Sequence, residues 1–514
     1  MADAGTGDDI RRPRPAGAGA PRENARAARD AAVIDVGSNS VRLVLYRLEG
    51  RAIWTVYNEK VLAGLGRDLG ASGRLSPAGV ETAMAALRRF RAVLDAVRPQ
   101  DVFTAATAAV REAADGEAFV GRVQAETGLH LRVLSGQEEA HYAALGVLAG
   151  CPGAEGVVGD LGGASLELVR LAPQGPVEGA TLALGPFALA GVGPDRARQE
   201  IVRRLAPVAG RFAASTFHAV GGAWRNLALL HMRMSGYPLQ IVHQYEMSRG
   251  DALEAARFLG RQSKASLEAI EGVSRKRLET LPHAAMVLEA LIEALGIERV
   301  AVSAYGLREG LLFEAMSPET RDLDPLVEGC AALTARQGVD ETLGPTLDAW
   351  LAPVFDALPP AFGARDAVLR SAACRLADLG ARLHPDHRAD LVFEQVLRAP
   401  VAGQSHAERA FLALAAFSRH TAAAPVPDGA TVGRLLSETQ RRRARALGAA
   451  VRLGCDLSGR NAVLLAQSRL RLDEGRLLLT AAEGWSDMLL GEQTARRAGQ
   501  LAALLGVKLE IRRG

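Results

Sequence analysis

The sequence predicts an α/β protein with a duplicated phosphate-binding core, followed by a mostly α-helical C-terminal region. Three observations lead there. Residues 31–46 read as strand, tight turn and strand: Val33, Ile34 and Val36 run into Gly37, Ser38, Asn39 and Ser40, and Val41, Leu43, Val44 and Leu45 resume the β pattern. The pattern returns at Gly159 to Val169 with a constant offset of 125 residues (Asp160 against Asp35), which places Gly162 on Gly37, Ser165 on Ser40 and Leu168 on Leu43. From about residue 325 the chain turns to long Ala/Leu/Arg-rich segments with apolar residues at helical spacing.

Residues 1–30 are rich in Ala, Gly, Pro and Arg, with Asp3, Asp8 and Asp9 interspersed and no continuous apolar stretch; they read as a disordered tail without a secretory signal. The first half, 31–156, begins with the hairpin. A turn of small residues points successive backbone N–H groups into one concavity, so Gly37, Ser38, Asn39 and Ser40 are candidate phosphate ligands. Asp35, at the strand end, would repel a phosphate unless it holds a hard cation that bridges to it. Trp54, Val56 and Glu59 to Val61 suggest a third strand, and Gly64-Leu65-Gly66-Arg67 a loop edging the cleft. Ser76-Pro77 opens a helix through Arg91, with Pro at its first position.

Val102 to Thr107 is the next strand and delivers Arg111 near its carboxyl end, where open α/β sheets bind ligands. Arg111 can pair with Glu112 or Asp115 on a surface helix or bind phosphate; phosphate binding is the expectation. After a helix through Glu126 and a strand at Leu131 to Leu134, Ser135 caps a helix whose first turn holds Glu138 and Glu139. Two acids there suit the helix dipole without any catalytic role, yet either could deprotonate a water at the cleft.

The second half, 157–316, supplies Asp160, Gly162, Gly163 and Ser165, with Glu167 standing where Arg42 stands in the first half; an acid there could orient a metal or water. Gly221-Gly222 ends a strand before a helix, a junction where double glycine often means only close packing. Ser303 to Gly310 repeats the strand-to-helix pattern, with Arg308 a candidate phosphate contact. In the third region, 317–514, Arg441, Arg442, Arg443 and Arg445 form a basic helical cluster, either a solvated face or a route for a long polyanion, and Arg469 to Leu472 and Val507 to Ile511 read as strands.

Composition narrows the classes. With 61 Lys plus Arg against 58 Asp plus Glu, net +3, overall charge does not call for a nucleic-acid partner, and none is expected. No run approaches the ~20 apolar residues of a membrane span. Cys151, Cys330, Cys374 and Cys455 are scattered, which argues against a zinc site or disulfide framework and for reduced thiols in the cytoplasm.

These motifs resemble the exopolyphosphatase and guanosine pentaphosphate phosphohydrolase family, within the actin, sugar kinase and heat-shock chaperone ATPase superfamily. The resemblance covers nearly everything after residue 30: I-D-x-G-S-N-S-x-R-L at Ile34 to Leu43, A-T-x-A-x-R-x-A at Ala106 to Ala113, S-G-x-E-E-A at Ser135 to Ala140 and G-L-R-E-G at Gly306 to Gly310. One departure is Ala164, where the family's second loop has a third Gly; Ala keeps the N–H but fits only if its φ is not left-handed.

The resemblance implies two ribonuclease-H-like (actin-like ATPase) domains and an HD-like helical region. It also implies Glu139 as base with Glu138 as fallback, Mg²⁺ near Asp35 and Asp160, and Gly221 and Gly222 bordering an extended phosphate site. The substrate it implies is inorganic polyphosphate or guanosine pentaphosphate, in a homodimer. Where an HD-type fold has its His-Asp pair, this chain has Ala377-Asp378, so that metal site reads as lost, and His384, His387, His406 and His420 read as helix-face or capping residues. Hydrolysis of a terminal phosphoanhydride ranks first, leaning to polyphosphate; a kinase shares the hairpins but fits the S-G-x-E-E-A and G-L-R-E-G segments less well. A non-catalytic sensor would not need Glu139, Asp160 and Glu167 together.

Overall fold

A computed structural model describes residues 28–189, 191–262, 266, 280–335, 337, 338, 340–423 and 425–513. Of the expected disordered tail, residues 1–27 lie outside this set, while Arg29 and Asp30 already belong to the first strand.

The first sheet contains β1 (Arg29–Val36), β2 (Val41–Glu49), β3 (Ala52–Val61), β4 (Asp101–Ala106) and β5 (Arg132–Val133), in the order β3-β2-β1-β4-β5. The second contains β6 (Gly156–Leu161), β7 (Leu166–Ala172), β8 (Gly175–Leu182), β9 (Thr216–Val220), β10 (Tyr245–Ser248) and β11 (Arg299–Val302), in the order β10-β11-β9-β6-β7-β8. The duplication is therefore topological as well as local. In each half an antiparallel meander of three strands continues, on the far side of its first strand, into a parallel neighbour, β4 for β1 and β9 for β6. Strand β1 is covered on both faces, which is why Ala31 to Ile34 form an unbroken apolar run with no exposure.

The two halves meet where the helix Gly136–Gly150 crosses the helix Leu307–Glu314, backbone against backbone. A Cβ on Gly310 would lie 1.9 Å from the Tyr142 carbonyl oxygen, and one on Gly146 would lie 2.1 Å from that of Gly306. Only glycine permits this approach, and it sets the N-termini of both helices at one cleft. The helix opened by Ser76-Pro77 runs to Val97, two turns beyond the expected Arg91, its buried stripe ending at Leu94.

The C-terminal region is helical around His406–His420, which is buried along nearly its whole length and packs between Arg388–Arg398 and Glu438–Ser458. It also carries a three-stranded sheet: β12 (Ser468–Asp473), β13 (Arg476–Ala481) and β14 (Lys508–Arg512). The middle strand was not anticipated. Leu477, Leu478 and Leu479 are all buried, so β13 lacks the alternation that marks a strand in sequence. The basic cluster is largely absorbed by the fold. Arg441 reaches Glu438 and the Leu436 carbonyl, Arg443 the Pro359 carbonyl and Arg445 the Ala423 carbonyl, leaving Arg442 as the exposed member.

Candidate active site

The two hairpins face each other across a cleft of about 460 Å³. Their turns close alike: Gly37 N–H donates to Ser40 O at 3.0 Å and Gly162 N–H to Ser165 O at 2.9 Å. Both are braced from behind. Gly66 N–H donates to Ser38 O and Gly64 N–H to Asn39 O, while Phe187 and Gly185 donate to Gly163 O and Ala164 O. The loops nearly touch, since a Cβ on Gly163 would lie 3.1 Å from Ser38 Cβ and from the Phe187 ring. Ala164 is not among the residues with left-handed φ, so its methyl is accommodated.

Of the residues singled out in the sequence, Asp35, Gly37, Ser38, Asn39, Ser40, Arg42, Glu139, Asp160, Gly162, Gly163, Ser165, Glu167, Gly221, Gly222 and Arg308 all line this cleft. Two do not. Glu138 is spent on its helix: Ser135 N–H donates to its Oε2 at 2.8 Å and Arg132 to its Oε1 at 2.5 Å, and these bonds hold its pKa down at about 2. One residue further round the helix, Glu139 points inward and is 8% exposed. Arg111, expected on a phosphate, instead donates from Nη1 to Leu134 O (2.8 Å) and to Glu139 Oε2 (3.1 Å), with Glu112 at 3.5 Å. The short helix Ala108–Glu112 turns it behind the cleft wall, so it orients the acid rather than lining the cavity.

Lys60, Thr107, Phe187 and Arg225 also line the cleft and were not assigned from sequence. Lys60 sits across the β2–β3 ladder from Arg42, and that register was the signal for it. Arg225 stands one helical turn after Gly221, whose carbonyl its Nε contacts at 3.3 Å.

Electrostatically the site is an acid cluster held out of water. Burial lifts Glu139 to about 7 against the opposing pull of Arg111, with Asp160 and Asp35 adding to the rise. Burial likewise lifts Asp160 to about 6, and Glu167, 1% exposed, is raised well above its usual range by burial, Glu139 and Asp160. Glu167 Oε1 is buried with no hydrogen-bond partner. An orphaned carboxylate oxygen among acids whose charged forms are penalised suits a hard divalent cation, which would relieve both costs. Among the described residues no three such side chains converge as a complete ligand set. The residues thus fit an ion that takes one or two carboxylates and completes its shell with phosphate oxygens and water. Arg308 is held opposite by its own helix start, where Glu309 accepts from Gly306 N–H (3.0 Å) and from Tyr46 of the first half (2.7 Å).

Comparison with known proteins identifies relatives of the chain. Exopolyphosphatase 1 of Mycobacterium tuberculosis is 26% identical over 324 residues, 60% of this chain and 94% of that protein. The guanosine-5'-triphosphate,3'-diphosphate pyrophosphatase of Aeromonas hydrophila is 26% identical over 343 residues, 64% of this chain and 68% of that protein. The crystal structure of an exopolyphosphatase from Cytophaga hutchinsonii shares the fold, with a TM-score of 0.52 at 21% identity over 56% of this chain and 97% of that one. The exopolyphosphatase C-terminal family matches residues 346–512. Residues 44–319, more than half of the chain and including Glu139, the second hairpin and Arg308, match the Ppx/GppA phosphatase family, and to that family the chain belongs.

Proposed function

We propose that the chain is an exopolyphosphatase, hydrolysing the terminal phosphoanhydride of inorganic polyphosphate and releasing phosphate. The observation that carries this is Glu139: a buried carboxylate at a helix start, raised to about 7, in the same cleft as two small-residue loops. A pKa near neutrality lets one group take a proton from water and later release it. In this reading the amides and hydroxyls of Ser38–Ser40 and Gly163–Ser165 hold the terminal phosphoryl, in turns that Gly37 and Gly162 close, and Arg42 and Arg308 offset charge on its oxygens. Arg111 keeps the Glu139 carboxylate aimed at the attacking water. Asp35 and Asp160 would hold the divalent cation, Mg²⁺ in this reading, with Glu167 orienting its water; the cation would supply charge neutralisation on the phosphoryl oxygens.

The second reading, hydrolysis of guanosine pentaphosphate, is favoured by the Aeromonas relative, and both substrates present the same anhydride to the same loops. Lys60 beside Arg42 extends the cationic wall away from the loops, which suits a chain of further phosphates. The HD-like character of the helical region, a homodimer and a cytoplasmic location complete the proposal. Supporting the last are four unpaired cysteines and, among the described residues, no helix long and apolar enough to cross a membrane. The test is phosphate release from long polyphosphate and from guanosine pentaphosphate, side by side, with and without a divalent chelator. Faster release from polyphosphate, abolished by chelation, is expected; undiminished activity after exhaustive chelation would remove the cation from the reading.

A further inference from the structure

The turn Ala377 to Leu383, where the lost His-Asp pair was expected, is ringed by cationic side chains from three helical elements. Arg419, on the last turn of His406–His420, donates from Nε to Ala377 O at 3.2 Å. Its neighbour His420 places Nε2 3.2 Å from Leu379 O. Arg388, opening the helix Arg388–Arg398, donates to Leu383 O at 3.0 Å. Arg460, just past Glu438–Ser458, lies 3.6 Å from Asp378 Oδ1 and is held at φ 63°, a left-handed conformation that costs a non-glycine residue energy unless its surroundings enforce it.

Of the three guanidinium groups Arg460 is the one beside the aspartate of this turn, Asp378, and one of the other two is deeply buried. Arg419 is 6% exposed, no carboxylate pairs with it among the described residues, and its single hydrogen bond uses Nε alone. The contrast with Arg409, 2% exposed in the same helix, is instructive. Arg409 spreads its terminal nitrogens over the carbonyls of Leu397, Ala399 and Val401, so its charge is solvated by the fold. The terminal nitrogens of Arg419 have no such acceptors, and they are not sealed from solvent. Arg388 Nε is buried and likewise unpartnered. Burial, with Arg419, Arg388 and Arg460 around it, drives His420 down to about 3, so the imidazole adds a neutral lining rather than a further charge. A largely buried guanidinium with open terminal nitrogens and no counter-charge favours an anion there, and its planar fork matches an oxyanion bearing several oxygens.

We propose that Arg419, Arg388 and Arg460 form an oxyanion site on the helical region, separate from the two-hairpin cleft, that takes a phosphate group. The existence of the site rests on the side chains alone; the choice of phosphate rests on the proposed hydrolase reaction, which releases phosphate. That group could be free orthophosphate or the end of a polyphosphate chain. Both present the same tetrahedral oxygens.

The test is calorimetric titration of the full chain with inorganic orthophosphate, in wild type and in Arg419→Gln, with Arg460→Gln as the partly exposed second variant should Arg419→Gln fail to fold. Wild type is expected to bind at two sites, one of which weakens at least about tenfold in the variant, since charge-assisted bonds to a guanidinium are lost. A competing titration with long polyphosphate separates the sources: displacement of orthophosphate from the affected site identifies the chain end, and no displacement identifies free phosphate. Sulfate in place of orthophosphate separates this proposal from the hydrolase reading, because a site that binds either anion and is lost in the variant stands whatever the cleft hydrolyses. Orthophosphate binding that is identical in wild type and a folded variant overturns the proposal.

Discussion

The two hairpins share a backbone and, beside their turns, differ in charge at one pair of positions. On the first, Asp35 faces Arg42 across the ladder; on the second, Asp160 faces Glu167 in the equivalent register. The first loop therefore carries its own counter-cation, extended by Lys60 on the next strand. The second concentrates two acids, Asp160 partly and Glu167 fully buried, both with raised pKa, beside a third in Glu139. The equivalent cradles thus differ in what faces their shared aspartate, a cation beside Asp35 and a second acid beside Asp160. That difference can be broken from either direction.

The largest effect is expected from Glu139→Gln, which keeps shape and removes the proton acceptor: turnover for polyphosphate should fall about 10²- to 10⁴-fold with little change in binding. Glu138→Gln, one residue away, should leave turnover near normal and weaken only the helix cap. A collapse in Glu138→Gln with normal turnover in Glu139→Gln would reverse the assignment.

Exchanging charge across the ladders sharpens the contrast. Glu167→Gln should weaken activation by divalent cation about 10- to 100-fold, read as the cation concentration for half-maximal rate. Arg42→Gln should instead raise KM for polyphosphate and leave the cation requirement in place. Equal shifts of both quantities in both variants would show that the hairpins are not specialised.

The pH dependence follows from the acid side. A base must be deprotonated to act, so the rate should rise with pH through the Glu139 pKa, about 7 without cation and lowered once a cation offsets Asp160 and Asp35, and then level. Stability without cation should move the other way. Glu139, Asp160 and Glu167 hold protons in the folded state that the unfolded chain has already released above the ordinary carboxylate range. The fold therefore loses stability as pH rises from about 4 towards 7. Thermal denaturation across that range, repeated with added divalent cation, should show the loss and its relief.

The smallest effect is expected at the position where the second loop departs from the family pattern. Because Ala164 is not left-handed, Ala164→Gly should leave turnover unchanged and cost at most about 1 kcal/mol through added chain entropy. A marked gain in turnover would mean that the methyl restrains the loop after all.

The hairpins, their register and the helix start at Ser135 were legible in the sequence because they are local: small-residue turns, β-branched runs and caps act over a few bonds. The choice between Glu138 and Glu139 was not, since the cap and the inward turn of the helix are decided by what the helix packs against. Arg111 shows the same limit. Its position at the end of β4 was readable, but the short helix that swings it onto Glu139 and the Leu134 carbonyl depends on a segment 23 to 28 residues further along. Strand β13 escaped notice because burial on both faces erases the alternation by which a strand is recognised. The basic run near Arg441 read as a surface and proved to be tied to carbonyls of distant loops. The sequence by itself determined the two cradles and the chemistry they can hold. Only the tertiary structure decided which charges face the cleft and which are consumed by the fold, because solvation and pairing depend on neighbours brought together across hundreds of residues.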